Sequence, residues 1–334
     1  MAVLFGTHPC YLEHDSGSGH VEGPDRLRAV AQGMVKAGIP DALVRFAPRA
    51  ATPAELELVH SPSHLEALER FCATGGGAID RDTRAGRESY KAAVLAAGAG
   101  PDAVARLERG EADAAFLAVR PPGHHAGVSE SMGFCLINNV AVAAAHLAAK
   151  GERVVIIDFD AHHGNGTQEI FYADGRVLYV SMHQFPFYPG TGTLMEMGRG
   201  AGARRNLNLP FPSGTTGDTY RAALDEVVAP LVEEFGPTWL IISAGFDAHR
   251  ADPLTDMGLT SGDFADMTRT VVEWVTAGHR LAFLEGGYDP VALANSSGAC
   301  VAALAGVQWR PEPASSGGPG RPVVTAAANL WHNS

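Results

Sequence analysis

Five short apolar runs recur along the chain, and each closes in polar residues. They are "AFLAVRPPGHH" (115–125), "RVVIIDFDAHH" (153–163), "RVLYVSMHQ" (176–184), "TWLIISAGFDAH" (238–249) and "RLAFLEGGYD" (280–289). Runs apolar at consecutive positions, rather than at alternate ones, belong to strands covered on both faces, as in parallel sheets. Ala-rich stretches with helical character separate them: "ESYKAAVLAAGAGPDAVARLERG", "NNVAVAAAHLAAKG", "DTYRAALDEVVAPLVEEFG" and "SGDFADMTRTVVEWVTAG". Each of these ends near a Gly, the residue that closes helices at their carboxyl ends. The opening "MAVLFGTHPC" reads as a first strand, because no basic residues precede its apolar stretch as they would in a signal peptide. Alternating strand and helix predicts one α/β domain over residues 1–310 with a mainly parallel sheet. From residue 311, "PEPASSGGPGRPVV" predicts a flexible or irregular tail to residue 334, with "ANLWHNS" either docked or disordered.

The polar strand ends matter more than the strands. In open parallel sheets ligands bind at the carboxyl ends, and five such ends here supply His, Asp, Ser or Tyr to one rim. In "DFDAHH", Asp160 and His162 are two apart, so an extended chain points both to one side, where a carboxylate and an imidazole suit zinc. Asp247, which ends another apolar run two residues after Gly245, is the best third ligand. Taken alone, the same residues also read as a polar strand terminus that caps backbone groups. Asp158 is either a further ligand or an acceptor behind the metal, and His163, on the opposite side, reads as a structural hydrogen-bonding residue. His124 and His125 follow a Pro-Pro turn, an arrangement in which one imidazole is held buried and the other faces the cleft. Tyr288, after Gly-Gly, gains interest only beside a metal and a histidine pair, where its phenol would donate to an oxyanion.

Composition narrows the classes. The 334 residues are 46% hydrophobic and 19% charged, which fits a globular chain with a large core. A formal charge of −12 argues against direct nucleic-acid binding. Four scattered cysteines without a CxxC pair suggest reduced thiols in the cytoplasm, and no apolar run is long enough for a membrane span.

Taken together, "RPPGHHA", "GFCLINNVAVAA", "DFDAHHGNGTQ", "SAGFDAHRADPL" and "LEGGYD" resemble the zinc-dependent histone deacetylases and their bacterial relatives, including acetoin-utilisation proteins and acetylpolyamine amidohydrolases. "HVEGPDRL" (20–27) resembles the family's N-terminal motif with Val21 at a Pro position, and "ESYKAAVLAAG" (88–98) also fits, so the likeness runs over roughly residues 5–305. The resemblance implies the arginase–deacetylase fold, a parallel sheet of about eight strands flanked by helices. It implies removal of acetyl or other short acyl groups from a lysine side chain or a small acylated amine. The corresponding zinc ligands are Asp160, His162 and Asp247. His125 corresponds to the general base toward the attacking water, and His124 to its buried neighbour held by Asp158. Tyr288 corresponds to the phenol that polarises the acyl carbonyl, with Gly287 beside it on the substrate side. Gly133, Phe134 and Tyr188 correspond to the walls of the acyl-lysine tunnel. Asp158, Ser181 and Met182, with the main-chain oxygens of Asp160 and His162, resemble an inner potassium site. Phe171, Asp174 and Val177 resemble an outer one.

Individual positions refine the resemblance. Asn165 stands where class I enzymes carry Asp behind the general base, which points to class II and bacterial enzymes and to a base of lower pKa. Leu254 stands where polyamine deacetylases carry Glu, which disfavours a cationic stem. Tyr288 stands where inactive branches carry His, so an active enzyme is expected. His163 and His249 occupy positions where a binuclear arginase-type site would need carboxylates. The competing expectations are a small-molecule acetylamine or ester deacylase and, in another class, a non-catalytic acyl-ligand-binding protein.

Overall fold

A computed structural model of the protein describes residues 1–332. Ten strands form: β1 (Val3–Gly6), β2 (Leu43–Phe46), β3 (Gly77–Ala78), β4 (Arg84–Ala85), β5 (Ala114–Leu117), β6 (Val154–Asp158), β7 (Val177–Gln184), β8 (Asn206–Phe211), β9 (Trp239–Ala244) and β10 (Arg280–Leu284). Eight of them make one sheet in the order β2-β1-β5-β10-β9-β6-β7-β8, with each adjacent pair parallel. β3 and β4 form a separate antiparallel hairpin. This is the sheet the apolar runs predicted, and all five runs became strands. Every residue of β5, β6, β7, β9 and β10 is buried. Burial at consecutive positions requires cover on both faces, which the helices provide.

The helix Asn139–Ala149 packs on Ser89–Glu108, while Pro290–Leu304 packs on both Asp25–Lys36 and Ser261–Val272. A side chain at Gly33 would place Cβ 2.1 Å from the carbonyl oxygen of Ala294, so only glycine allows these two helices to lie so close. The predicted helix 218–236 contains a π turn at Leu224–Val228 that absorbs Pro230. Proline lacks the N–H for an α-helical bond and crowds the carbonyl four residues earlier, and the wider turn relieves both. Gly236 closes the helix in the left-handed region at φ 60°.

Of the expected tail, residues 311–320 are irregular and the remainder docks on the domain as a helix. Pro and Gly keep 311–320 irregular, but this stretch is tied down by side-chain bonds. The Glu312 carboxylate accepts from Ser261 and pairs with His249 and Arg250. Ser315 donates its N–H and hydroxyl to the buried Asp263. A helix then spans Arg321–His332 and buries Val324, Ala327 and Trp331. Its apolar face belongs to the core, which composition could not show. The last two residues of "ANLWHNS" lie outside the described residues. Among those described, no helix is long and apolar enough to cross a membrane.

Candidate active site and metal centre

The strand order sets β9 beside β6 and β10, with β5 on the far side of β10, so four chemically loaded carboxyl ends open on one cavity. Past β6 and β9, Asp160, His162 and Asp247 converge, with one donor atom from each within 4.8 Å of the others. The Nδ1 of His162 lies 3.1 Å from Asp160 Oδ1 and 2.9 Å from Asp247 Oδ2. Main-chain donors fix the carboxylates: Gly286 N–H donates to Asp160 Oδ2 at 2.8 Å and Ala161 N–H to Asp247 Oδ1 at 2.7 Å. The Gly286 position is dictated by the acids. A Cβ there would sit 2.2 Å from Asp247 Oδ2 and 2.6 Å from Asp160 Oδ2.

These residues fit a zinc ion. Two fully buried carboxylates beside an imidazole need a cation, since burying like charges together is costly. Burial, with Asp160 adding to it, pushes the Asp247 carboxyl up to about 7. Three O and N donors in a cradle open on one side match a catalytic zinc site.

His124 and His125 end the turn after β5, their rings 4.1 Å apart. The Nδ1 of His124 is 3.1 Å from Asp158 Oδ2, which also accepts from the Tyr179 hydroxyl at 3.0 Å. The Nδ1 of His125 is 2.7 Å from Asn165 Oδ1. An amide oxygen only accepts, so His125 carries its proton on Nδ1 and keeps Nε2 as an acceptor. Burial, with the imidazoles of His124 and His162, holds His125 well below the ordinary histidine range. The turn rests on Glu285, whose Oε2 accepts from Gly123 N at 2.7 Å and His124 N at 3.2 Å. Burial pushes the Glu285 carboxyl up to about 7. The acid is visible in "LEGGYD", but nothing local ties it to a turn 162 residues away.

The cavity above holds about 310 Å³ and is lined by His125, Phe134, His162, Tyr188, Leu254 and Tyr288, among others. The Phe134 and Tyr288 rings meet edge-on at 5.8 Å, and Tyr188 stands edge-on to His125 at 5.3 Å. Gly133 (φ 55°) and Phe134 (φ 68°) both take left-handed backbone, and a Cβ on Gly133 would lie 2.3 Å from His125 Cδ2. Phe134 N–H is held by the Thr83 hydroxyl at 3.1 Å, so the β3–β4 hairpin supports this wall. Of the glycine pair, Gly286 is the one in the cavity wall. Gly287, expected at the substrate side, serves through its carbonyl, which accepts from Arg26 Nε at 2.8 Å. Phe187, Asp82 and Pro122 also line the cavity, and the sequence reading missed all three.

The remaining expected residues are placed as follows. Asp158, the last residue of β6, is the register partner of Ser181 in the middle of β7, and Met182 is buried. The Ser181 hydroxyl is 2.9 Å from His183 Nδ1. Phe171 and Val177 are buried, while the Asp174 carboxylate is taken by Arg176 at 2.6 and 2.9 Å. His163 is bonded at both nitrogens, to Thr191 Oγ1 at 2.7 Å and Gln168 Oε1 at 3.1 Å, which suits the structural role expected of it.

Comparison with known proteins agrees with this geometry. The histone deacetylase domain family model matches residues 20–304. A probable deacetylase of Archaeoglobus fulgidus is 40% identical, the match covering 90% of this chain and 85% of the relative. A histone deacetylase-like amidohydrolase of Pseudomonas aeruginosa is 36% identical over 89% of this chain and 80% of its own. Histone deacetylase 15 of Arabidopsis thaliana is 42% identical, and the match spans 86% of this chain and about half, 53%, of that longer protein. The crystal structure of the HDA15 HD domain superposes with a TM-score of 0.91 at 37% identity, covering 99% of this chain and 96% of that one. The chain belongs to the histone deacetylase family and has the arginase–deacetylase fold. With that membership goes the class of reaction: the protein is an amidohydrolase of the deacetylase type.

Proposed function

We propose that the protein removes acetyl or another short acyl group from a linear amine, the side chain of lysine first among them, with zinc held by Asp160, His162 and Asp247. The observation that carries this is the meeting, in one cavity, of that cradle, an imidazole with a free Nε2 and a tyrosine phenol. A zinc ion supplies Lewis-acid polarisation of the acyl carbonyl and acidifies water. His125 takes the proton of the attacking water on Nε2, while Asn165 holds the ring by Nδ1. The Tyr288 phenol donates to the carbonyl oxygen as it gains charge, and burial keeps that phenol protonated by raising its pKa well above the ordinary value. His124, fixed by Asp158, lies against His125 and completes the pair from which the leaving amine regains its proton. Phe134 and Tyr188 flank the substrate stem, and Leu254 gives the passage an apolar side. Asp158, Ser181 and Met182 are proposed to hold a potassium ion, and Phe171, Asp174 and Val177 an outer one.

The test is a panel of acetyl-lysine peptide, N-acetylputrescine and an acetate ester, with metal content measured on the same protein. The proposal expects about one zinc per chain, loss of turnover on chelation and a preference for the peptide. Preference for putrescine or ester would instead favour the small-molecule reading. Binding of all three without turnover in zinc-loaded protein would favour a reader. Asp247→Ala should lose the metal, and full metal occupancy would overturn its ligand role.

A further inference from the structure

The loop after β9 and the turn after β10 meet at one side chain that the mechanism above does not use. Asp252 is buried, at 7% exposure. Its Oδ2 accepts from the Tyr288 N–H at 2.7 Å, and its Oδ1 accepts from the Leu254 N–H at 3.0 Å. Tyr288 and Leu254 both line the cavity. A carboxylate is a rigid, planar pair of acceptors, so one group holds two wall residues at one spacing.

The rest of the turn is already pinned. Arg26 donates to the carbonyls of Glu285 and Gly287, and Gly286 N–H is bound by Asp160. Gly287 sits at φ 114°, and the carbonyl of its peptide to Tyr288 is the one that Arg26 Nε holds. The bond from the Tyr288 N–H to Asp252 fixes the other side of that peptide and leads directly into the Tyr288 side chain. The Arg26 guanidinium also lies 4.9 Å from the centre of the phenol ring, so Arg26 and Asp252 grip this residue from two sides. Asp252 is held in turn. Its N–H donates to the His249 carbonyl at 2.8 Å, and His249 Nε2 lies 2.8 Å from Glu312 Oε2. The C-terminal segment therefore braces the loop from behind.

We propose that Asp252 is a positioning residue for the hydrolysis, setting the Tyr288 phenol and the Leu254 side chain relative to one another through two main-chain hydrogen bonds. It touches no reacting atom. It governs carbonyl polarisation through Tyr288 and the fit of the stem through Leu254. This rests on the reading of Tyr288 as the carbonyl donor.

The experiment is a double-mutant cycle on the zinc-loaded full chain, with kcat, KM and zinc content measured on an acetyl-lysine peptide. Asp252→Asn keeps the shape but sets an amide donor against one of the two N–H groups. It is expected to lower kcat by about 10- to 100-fold with about one zinc retained per chain. Asp252→Glu, which keeps both acceptors, should recover part of the loss. In a Tyr288→Phe background, Asp252→Asn should cost less than about 3-fold, because the group it positions is gone. If Asp252→Asn fails to fold, Asp252→Glu takes its place in the cycle, with a smaller loss in the parent and the same collapse beside Tyr288→Phe. Turnover of Asp252→Asn close to the parent, or an equal cost in both backgrounds, overturns the inference while Tyr288→Phe stays slow. A Tyr288→Phe enzyme close to the parent overturns the reading of Tyr288, and the inference with it.

Discussion

His60 joins three segments around the active-site floor through a neutral ring. It is 2% exposed, with Nδ1 2.8 Å from the Gly127 carbonyl oxygen and Nε2 accepting the Asn138 N–H at 2.9 Å. Asn138 caps the helix Asn139–Ala149, and Gly127 lies two residues past His125, so the ring ties the histidine turn to that helix. Protonation would put a second N–H on the ring facing the Asn138 donor. Burial, with His64 adding to it, accordingly holds His60 down to about 4. The unfolded chain binds this proton at about 6.5, so the stability from the neutral ring is complete above that pH and is lost as pH falls toward 4. A drop of roughly 2.5 units at about 1.4 kcal/mol per unit is about 3.5 kcal/mol in full, of which about 2 kcal/mol is gone by pH 5. The assay is urea unfolding of the parent and His60→Gln at pH 7 and pH 5. Other titrating groups, and any metal release, are common to both proteins and cancel in the difference. The stability advantage of the parent should shrink by about 2 kcal/mol between the two pH values. A difference that stays constant, or an imidazole titration by NMR near 6.5, would remove His60 from this role.

Three other perturbations test the structure. Gly286→Ala places a methyl 2.2 Å from Asp247 Oδ2, so the cradle must open and metal content should fall well below one per chain; full occupancy with parental turnover would contradict the geometry. Leu254→Glu adds a carboxylate to the apolar passage and should shift preference from acetyl-lysine peptide toward N-acetylputrescine by about tenfold, read as a ratio of kcat/KM values; an unchanged ratio would remove Leu254 from the substrate path. Trp331→Ala empties a buried site under the Arg204 guanidinium and should cost about 3–5 kcal/mol in chemical denaturation, whereas a truly loose tail would show a change under about 0.5 kcal/mol.

Much of the site was legible because its signals are local. "DFDAHH" carries its spacing within one extended segment, and "RPPGHH" and "LEGGYD" each hold their chemistry at the end of one strand. Asn165 was legible as the partner of His125 only through the family likeness, since the two are 40 residues apart. The supporting residues were not legible at all. Asp252 reads as the start of an ordinary Asp-Pro turn, and Thr83 as part of a polar loop. Their roles lie in bonds to Tyr288, 36 residues on, and to Phe134, 51 residues on. The helical form of the C-terminal segment was not legible for a related reason. Its buried face of Val324, Ala327 and Trp331 follows a stretch whose Pro and Gly content dominates the local reading.

By itself the sequence determined which segments are buried strands and which polar groups sit at their ends, because unbroken apolar runs and two-residue spacings act within a few residues. It also carried the donor types that suit zinc. Only the tertiary structure decided that β5, β10, β9 and β6 lie side by side, and so that ends far apart in sequence share one cavity. It alone gave jobs to two buried acids that neither the residue pattern nor the family likeness had placed: Glu285 under the turn and Asp252 behind Tyr288. The physical reason is the same in each case. A buried carboxylate must find donors, and its donors come from whichever backbone the packing brings near, which no stretch of sequence around the acid records.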